Sequence, residues 1–171
     1  MPKLFEVLKR GGVAVMPTDT IYGIVGSALK RKTVERIYRV RRRSPKKPFI
    51  ILISSARDIA KFGIRHDARV KLFLDNVWPG PVSVILPCPS PKFRYLHRGT
   101  KTLALRVPKP AALRALLKKT GPLVAPSANI EGKLPARTVG EALRYFGTRV
   151  DVYVSGRSKR SAPSLLIEIK R

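Results

Sequence analysis

Two apolar runs of this 171-residue chain break off into small polar residues. Val13-Ala14-Val15-Met16 ends in Pro17-Thr18-Asp19-Thr20-Ile21-Tyr22-Gly23, and Leu123-Val124-Ala125 ends in Pro126-Ser127-Ala128-Asn129. Hydroxyls and an amide at a strand end are groups that bind ligands, and in open α/β sheets ligands sit beyond the carboxyl ends of the strands. Between the two runs lies Arg41-Arg42-Arg43-Ser44-Pro45-Lys46-Lys47-Pro48. Hydroxyls converging with guanidiniums suit an anion, phosphate first of all.

Within a helix predicted over 33–42, Val34, Ile37 and Tyr38 form an apolar stripe, and the next position on it is Arg41. Arg41 is therefore expected to point inward, where a lone cation is costly unless a bound anion or a buried carboxylate relieves it. The alternative is an arginine that snorkels to water. Thr18, Asp19, Thr20 and Tyr22 read either as hydrogen-bonding groups for a ligand or as a strand-end turn with an Asx-type bond from Asp19. Ser127 and Asn129 suit a site or an ordinary cap or turn. The alternation Thr102-Leu103-Ala104-Leu105-Arg106 puts Thr102 and Arg106 on one side of a strand. There Arg106 is a carboxylate fork or a surface residue. Trp78-Pro79-Gly80-Pro81 reads as a rigid corner with a packed indole rather than a binding platform. Neither His66 nor His97 has a nucleophile or carboxylate beside it in sequence, so a Ser-His-Asp triad is not suggested. Cys88, the one cysteine, offers no intramolecular disulfide and no metal cluster. The chain has no Walker loop and no dinucleotide fingerprint.

The elements that must position these residues alternate short apolar runs with helix-period segments, the mark of an α/β layer architecture. Helices are predicted over 4–10, 33–42, 54–62, 67–77, 110–120 and 138–146, and strands over 13–16, 49–53, 82–86, 103–107, 123–125, 152–154 and 165–169. Hairpin-like spacing around 87–100 points to a mixed rather than purely parallel sheet. The length suits one domain, 1–171, with a real core. Apolar residues make up 44% and charged residues 27%, which excludes a disordered tail or a membrane protein. No apolar run nears the roughly 20 residues that span a bilayer. With no apolar signal region at the start, a cytoplasmic address is expected. The outlying number is charge: 36 Lys and Arg against 10 Asp and Glu, a formal +26. Polyanions, RNA or DNA among them, are the expected partners, in contacts that weaken steeply with salt. A generally basic surface is the alternative, although lysine-rich surfaces usually balance their charge with glutamate.

Taken together, these segments resemble the YrdC-like family of threonylcarbamoyl-adenylate synthases. The resemblance spans about 7–169. It rests on Pro17-Thr18-Asp19-Thr20-Ile21-Tyr22-Gly23, Arg41-Arg42-Arg43 through Lys47-Pro48, Trp78-Pro79-Gly80-Pro81, Leu103-Ala104-Leu105-Arg106-Val107-Pro108, Pro126-Ser127-Ala128-Asn129 and Pro163-Ser164-Leu165-Leu166-Ile167. Each segment is weak alone; six in the family's order and spacing are specific. The resemblance implies a twisted, mixed, open α/β sheet flanked by helices around a basic cavity. It implies formation of threonylcarbamoyl-AMP and pyrophosphate from L-threonine, bicarbonate and ATP, with Mg²⁺ carried on ATP. A separate transferase complex would then pass the threonylcarbamoyl group to tRNA.

By position, the resemblance gives Thr20, Arg106, Ser127 and Ser164 to threonine. Arg41, Arg43, Lys47, Thr102, Asn129 and Arg137 go to the nucleotide. Arg41, Arg43, Ser127 and Asn129 go to the reaction centre, Arg41 and Arg43 matching a Lys-x-Arg pair and Ser127 and Asn129 a Ser-x-Asn pair. Four positions depart from the family pattern. Arg41 replaces the usual lysine, Leu52 stands where longer members often have histidine, Glu131 replaces a frequent serine, and Leu165 replaces a hydroxyl residue. The expected activity is that of a single-domain nucleotidyltransferase. The alternative is a non-catalytic protein of the same fold that binds double-stranded RNA or ribosome precursors.

Overall fold

The computed structural model describes residues 2–156 and 164–169. Pro163, part of one resembling segment, lies outside them. The chain opens with α1 (Pro2–Arg10), closed by Gly11, and enters strand β1 (Val13–Pro17), which turns back as β2 (Tyr22–Ser27). Helix α2 (Arg31–Arg41) leads to the short β3 (Ile51–Leu52), a 3₁₀ segment (Ala56–Phe62) and α3 (Ala68–Val77), capped by the Asp67 carboxylate on the Val70 N–H. Next come β4 (Val82–Pro87), α4 (Arg94–His97), β5 (Thr102–Arg106), α5 (Ala111–Thr120) and β6 (Leu123–Val124). Helix α6 (Val139–Phe146), capped by Thr138, precedes β7 (Val152–Tyr153) and β8 (Leu165–Glu168).

The eight strands form one sheet in the order β7-β1-β2-β6-β3-β5-β4-β8. It is mixed: β1/β2, β2/β6, β3/β6 and β4/β5 are antiparallel, whereas β1/β7, β3/β5 and β4/β8 are parallel. Two apolar clusters flank it. The larger joins α2, the 3₁₀ segment and α6 to the sheet, and the smaller sits under α1 and α5. Among the described residues no helix is long and apolar enough to cross a membrane.

Strand β2 has no counterpart in the elements predicted from sequence. Gly23, Gly26 and Ser27 weaken its strand signal, and the structure shows why one of those glycines is there. A Cβ on Gly26 would sit 2.5 Å from Thr33 Cγ2 and 3.1 Å from Ile37 Cδ1, so α2 lies directly against the β2 backbone. Trp78 is a packed corner, as the sequence suggested: it is buried and its indole N–H donates to Val82 O at 2.7 Å. His97 is structural. Its Nδ1 accepts the Gly99 N–H at 3.1 Å, which leaves Nε2 to donate toward Ser90 O at 3.3 Å.

Candidate functional site

The expected inward turn of Arg41 is what the structure shows. The residue ends α2 and is 2% exposed. Its Nε donates to Asn129 O at 3.0 Å, and its Nη2 donates to Asn129 Oδ1 at 2.9 Å and to Ser127 Oγ at 3.2 Å. Ser127 in turn donates to Asn129 Oδ1 at 2.6 Å, and the Asn129 amide donates to Ile130 O and Lys133 O. The 126–129 segment is docked on β2 through Ile24 N–H to Pro126 O and Ala128 N–H to Tyr22 O. Two pieces of chain more than 80 residues apart are thereby fixed into one unit.

Every hydrogen-bonding partner of the Arg41 guanidinium is a neutral oxygen. Its Nη1 is buried with no hydrogen-bond partner among the described residues. Desolvation, together with the repulsion of nearby Arg43, lowers its pKa to about 10, and the Glu131 carboxylate only partly offsets this. The group remains charged at neutral pH. A buried cation this poorly neutralised attracts an anion.

Arg43 reaches the same place because the chain reverses at Arg42, which takes a left-handed conformation (φ 50°) beyond the end of α2. The guanidinium carbons of Arg41 and Arg43 both lie 5.8 Å from the ring centre of Phe49, within range of a cation–π attraction. Phe49 stacks on Tyr38 at 4.0 Å between centres.

These side chains face a cavity of about 330 Å³ lined by Thr18, Thr20, Arg41, Arg43, Arg106, Ser127 and Ser164, with Ile21, Pro48, Phe49 and Leu166 in its apolar wall. Thr18 spends its hydroxyl proton on Ile21 O and so builds the turn. Thr20 Oγ1 has only a 3.4 Å contact with Thr18, which leaves it able to accept an N–H from a ligand. Tyr22 is committed elsewhere, its hydroxyl bonded to Gly156 O and N–H.

Asp19 takes neither of the two roles open to it in sequence, ligand group or Asx turn. Its carboxylate accepts from Arg106 Nη2 at 2.9 Å, and both side chains are 4% exposed. Burial lowers the Arg106 pKa, and Asp19 counters that effect. Arg106 still has most of its five N–H donors to offer.

Asn129 lies behind the cavity wall and meets it through Arg41. Three other residues of the sequence reading stand apart from the cavity lining. Lys47 is exposed and donates to Glu131 Oε1 at 2.9 Å. Thr102 shares the face of Arg106, as its spacing requires, but donates its hydroxyl to Thr100 Oγ1. Arg137 is exposed beside α6, its N–H bonded to Glu141. Glu131 also accepts the Ser44 N–H at 2.7 Å and lies 3.9 Å from Arg43 Nη1, so it clasps the 43–47 loop. The Lys47 and Ser44 hydrogen bonds, reinforced by Arg43, hold its pKa below the usual carboxylate value.

The sequence reading missed Ser83. It is wholly buried on β4, and its hydroxyl is 3.0 Å from Ser164 Oγ. The available signal was a lone hydroxyl inside the apolar run Val82-Ser83-Val84-Ile85-Leu86.

A sequence profile of the Sua5_yciO_yrdC family ("Telomere recombination") matches residues 6–171. The threonylcarbamoyl-AMP synthase of Halorhodospira halophila is 33% identical over 151 residues, covering 88% of this chain and 79% of that one. The threonylcarbamoyl-AMP synthase of Marinobacter nauticus is 33% identical over 167 residues, with 96% and 88% covered. The crystal structure of P. abyssi Sua5 complexed with L-threonine superposes with a TM-score of 0.89 at 26% identity. That match covers 98% of this chain, which spans half of the Sua5 chain (50%). E. coli YciO has the same fold, with a TM-score of 0.85 at 24% identity over 99% of this chain and 83% of its own.

Proposed function

This chain belongs to the Sua5_yciO_yrdC family, and we propose that it is a threonylcarbamoyl-AMP synthase, a nucleotidyltransferase of tRNA modification. The observation that carries the reading is the meeting of Thr20, Arg41, Arg43, Arg106, Ser127 and Ser164 around one cavity. Their chemistry matches an amino acid beside a polyphosphate.

In this reading Arg106, braced by Asp19, pairs with the threonine carboxylate, and Thr20 accepts from the amine. Ser164, backed by Ser83, faces the amino-acid side. The neutral amine bonds to the carbon of bicarbonate, whose C–O bond breaks, and with the amine proton that oxygen leaves as water, giving a carbamate. The carbamate oxygen attacks the α-phosphorus of ATP, and the bond to pyrophosphate breaks. Arg41 and Arg43 hold the phosphates and carbamate, and their charge favours the transition state as negative charge moves to the leaving group. Ser127 and Asn129 hold Arg41 in place. Lys47, Thr102 and Arg137 would meet outer parts of the nucleotide. In this reading Mg²⁺ arrives on the phosphates of ATP. The product would pass to a transferase complex acting on tRNA, in the cytoplasm.

The test is pyrophosphate release from ATP and Mg²⁺. Release that requires both L-threonine and bicarbonate is expected; release indifferent to either overturns the reading.

A further inference from the structure

A second cationic hollow lies outside this cavity, between α2 and the 91–98 segment. Its volume is about 440 Å³, within the size range of ligand pockets. Arg31, Lys92, Arg94 and Arg98 line it against a single carboxylate, Glu35, together with Pro91 and Tyr95. Beside it lies a wider hollow along α2 that shares Arg31 and Glu35 and adds Lys32, Arg39, Arg42 and, at the border with the inner cavity, Arg43.

Arg98 is the residue that most needs a partner. Its backbone is left-handed (φ 52°), its side chain is 12% exposed, and its guanidinium carbon lies 4.0 Å from the ring centre of Tyr38. Glu35 Oε1 is 3.0 Å from Nη2, but out of line for a hydrogen bond, and neither Nε nor Nη2 has a hydrogen-bond partner among the described residues. One carboxylate cannot neutralise four cations gathered in a concave space. Three of the four are arginines, whose planar forks match phosphate oxygens.

We propose that the hollow between α2 and α4 is a second phosphate-binding site, shaped for a polyphosphate or for successive phosphates of a nucleic-acid backbone. It is independent of the synthase reading, because Arg31, Lys92, Arg94 and Arg98 take no part in the cavity assigned to that reaction.

The probe is inorganic tripolyphosphate, titrated calorimetrically into the full chain. Two sites are expected. Arg43→Ala, at the border of the two, weakens chiefly the inner one, whereas Arg31→Ala with Arg94→Ala, neither in the inner lining, weakens the other by about tenfold or more. Both residues of the latter pair are exposed, so the fold is kept. Lys118→Ala with Lys119→Ala removes the same charge from an exposed part of α5 and should leave both sites intact. A single site in the unaltered chain overturns the proposal, and so does equal weakening by the α5 pair, which would reduce the effect to net charge. A short RNA duplex added as competitor separates the two sources. Displacement of tripolyphosphate from the outer hollow assigns a nucleic-acid backbone, and retention assigns a free polyphosphate; either outcome supports the site.

Discussion

Arg41 and Arg106 line the same cavity, are almost equally buried (2% and 3% exposed), and are held in opposite ways. Arg106 has a carboxylate of its own, Asp19 at 2.9 Å. Arg41 is bonded to two oxygens of Asn129 and to the Ser127 hydroxyl, all neutral. The chain therefore offsets part of the electrostatic cost of burying Arg106 with an adjacent carboxylate, whereas Arg41 has only the more distant Glu131 and leaves more of its cost to whatever enters the cavity. The difference separates a cation whose position is guaranteed from one whose charge is still available to a ligand.

The largest test of this contrast is Asp19→Ala. It strands a buried guanidinium, and a loss of about 3–5 kcal/mol is expected in urea unfolding. A loss below about 1 kcal/mol would mean that Arg106 does not depend on Asp19, and the contrast would collapse. Arg41→Ala should cost less, about 1–3 kcal/mol, because neutral acceptors rather than a charge lose their partner. Asn129→Ala belongs with it: four hydrogen-bonded contacts to Arg41, Ser127 and the 130–133 turn make Asn129 a structural post as well as a site residue. Arg43→Ala sharpens the comparison from the other side. It should lower turnover by about a hundredfold or more while moving unfolding by no more than about 0.5 kcal/mol. Pyrophosphate should raise the unfolding midpoint of the unaltered chain, and raise it less in Arg43→Ala, since only a ligand that binds the folded state stabilises it.

The smallest effect is expected at an exposed pair. Arg36 and Asp151, 2.6 Å apart with side chains 32% and 36% exposed, should contribute about 1 kcal/mol or less. Hydrogen bonding from Arg36, joined by the Val13 N–H, holds the Asp151 pKa below the usual carboxylate value. A depressed folded pKa gives stability that is present above the unfolded value of about 3.9 and is lost as pH falls through the folded one. Arg36→Ala should flatten that acid limb of the unfolding curve.

Much of the fold was legible because its helices carry clean stripes and its strands are short apolar runs between breakers. The inward turn of Arg41 followed from three apolar neighbours on one helix face. Local pattern carries no such information about partners 87 residues apart, so Asp19 stayed open between a ligand-binding group and a turn former until the fold set it against Arg106. Thr102 shows a related gap. Alternation placed it on the face of Arg106, but four residues of strand separate the two by about 13 Å, which is enough to take it out of the cavity lining. Ser83 escaped notice because one serine in a buried strand has no periodicity to betray it.

Arg41-Arg42-Arg43 reads as a uniform basic block, yet the left-handed bend at its middle residue divides it among three environments. Arg41 is entombed with neutral oxygens, Arg42 faces solvent, and Arg43 borders both the inner cavity and the hollow along α2. A saturation scan across these three codons should yield three unlike tolerance profiles. Position 41 would accept almost nothing, position 42 would favour glycine for its backbone, and position 43 would demand a long cation.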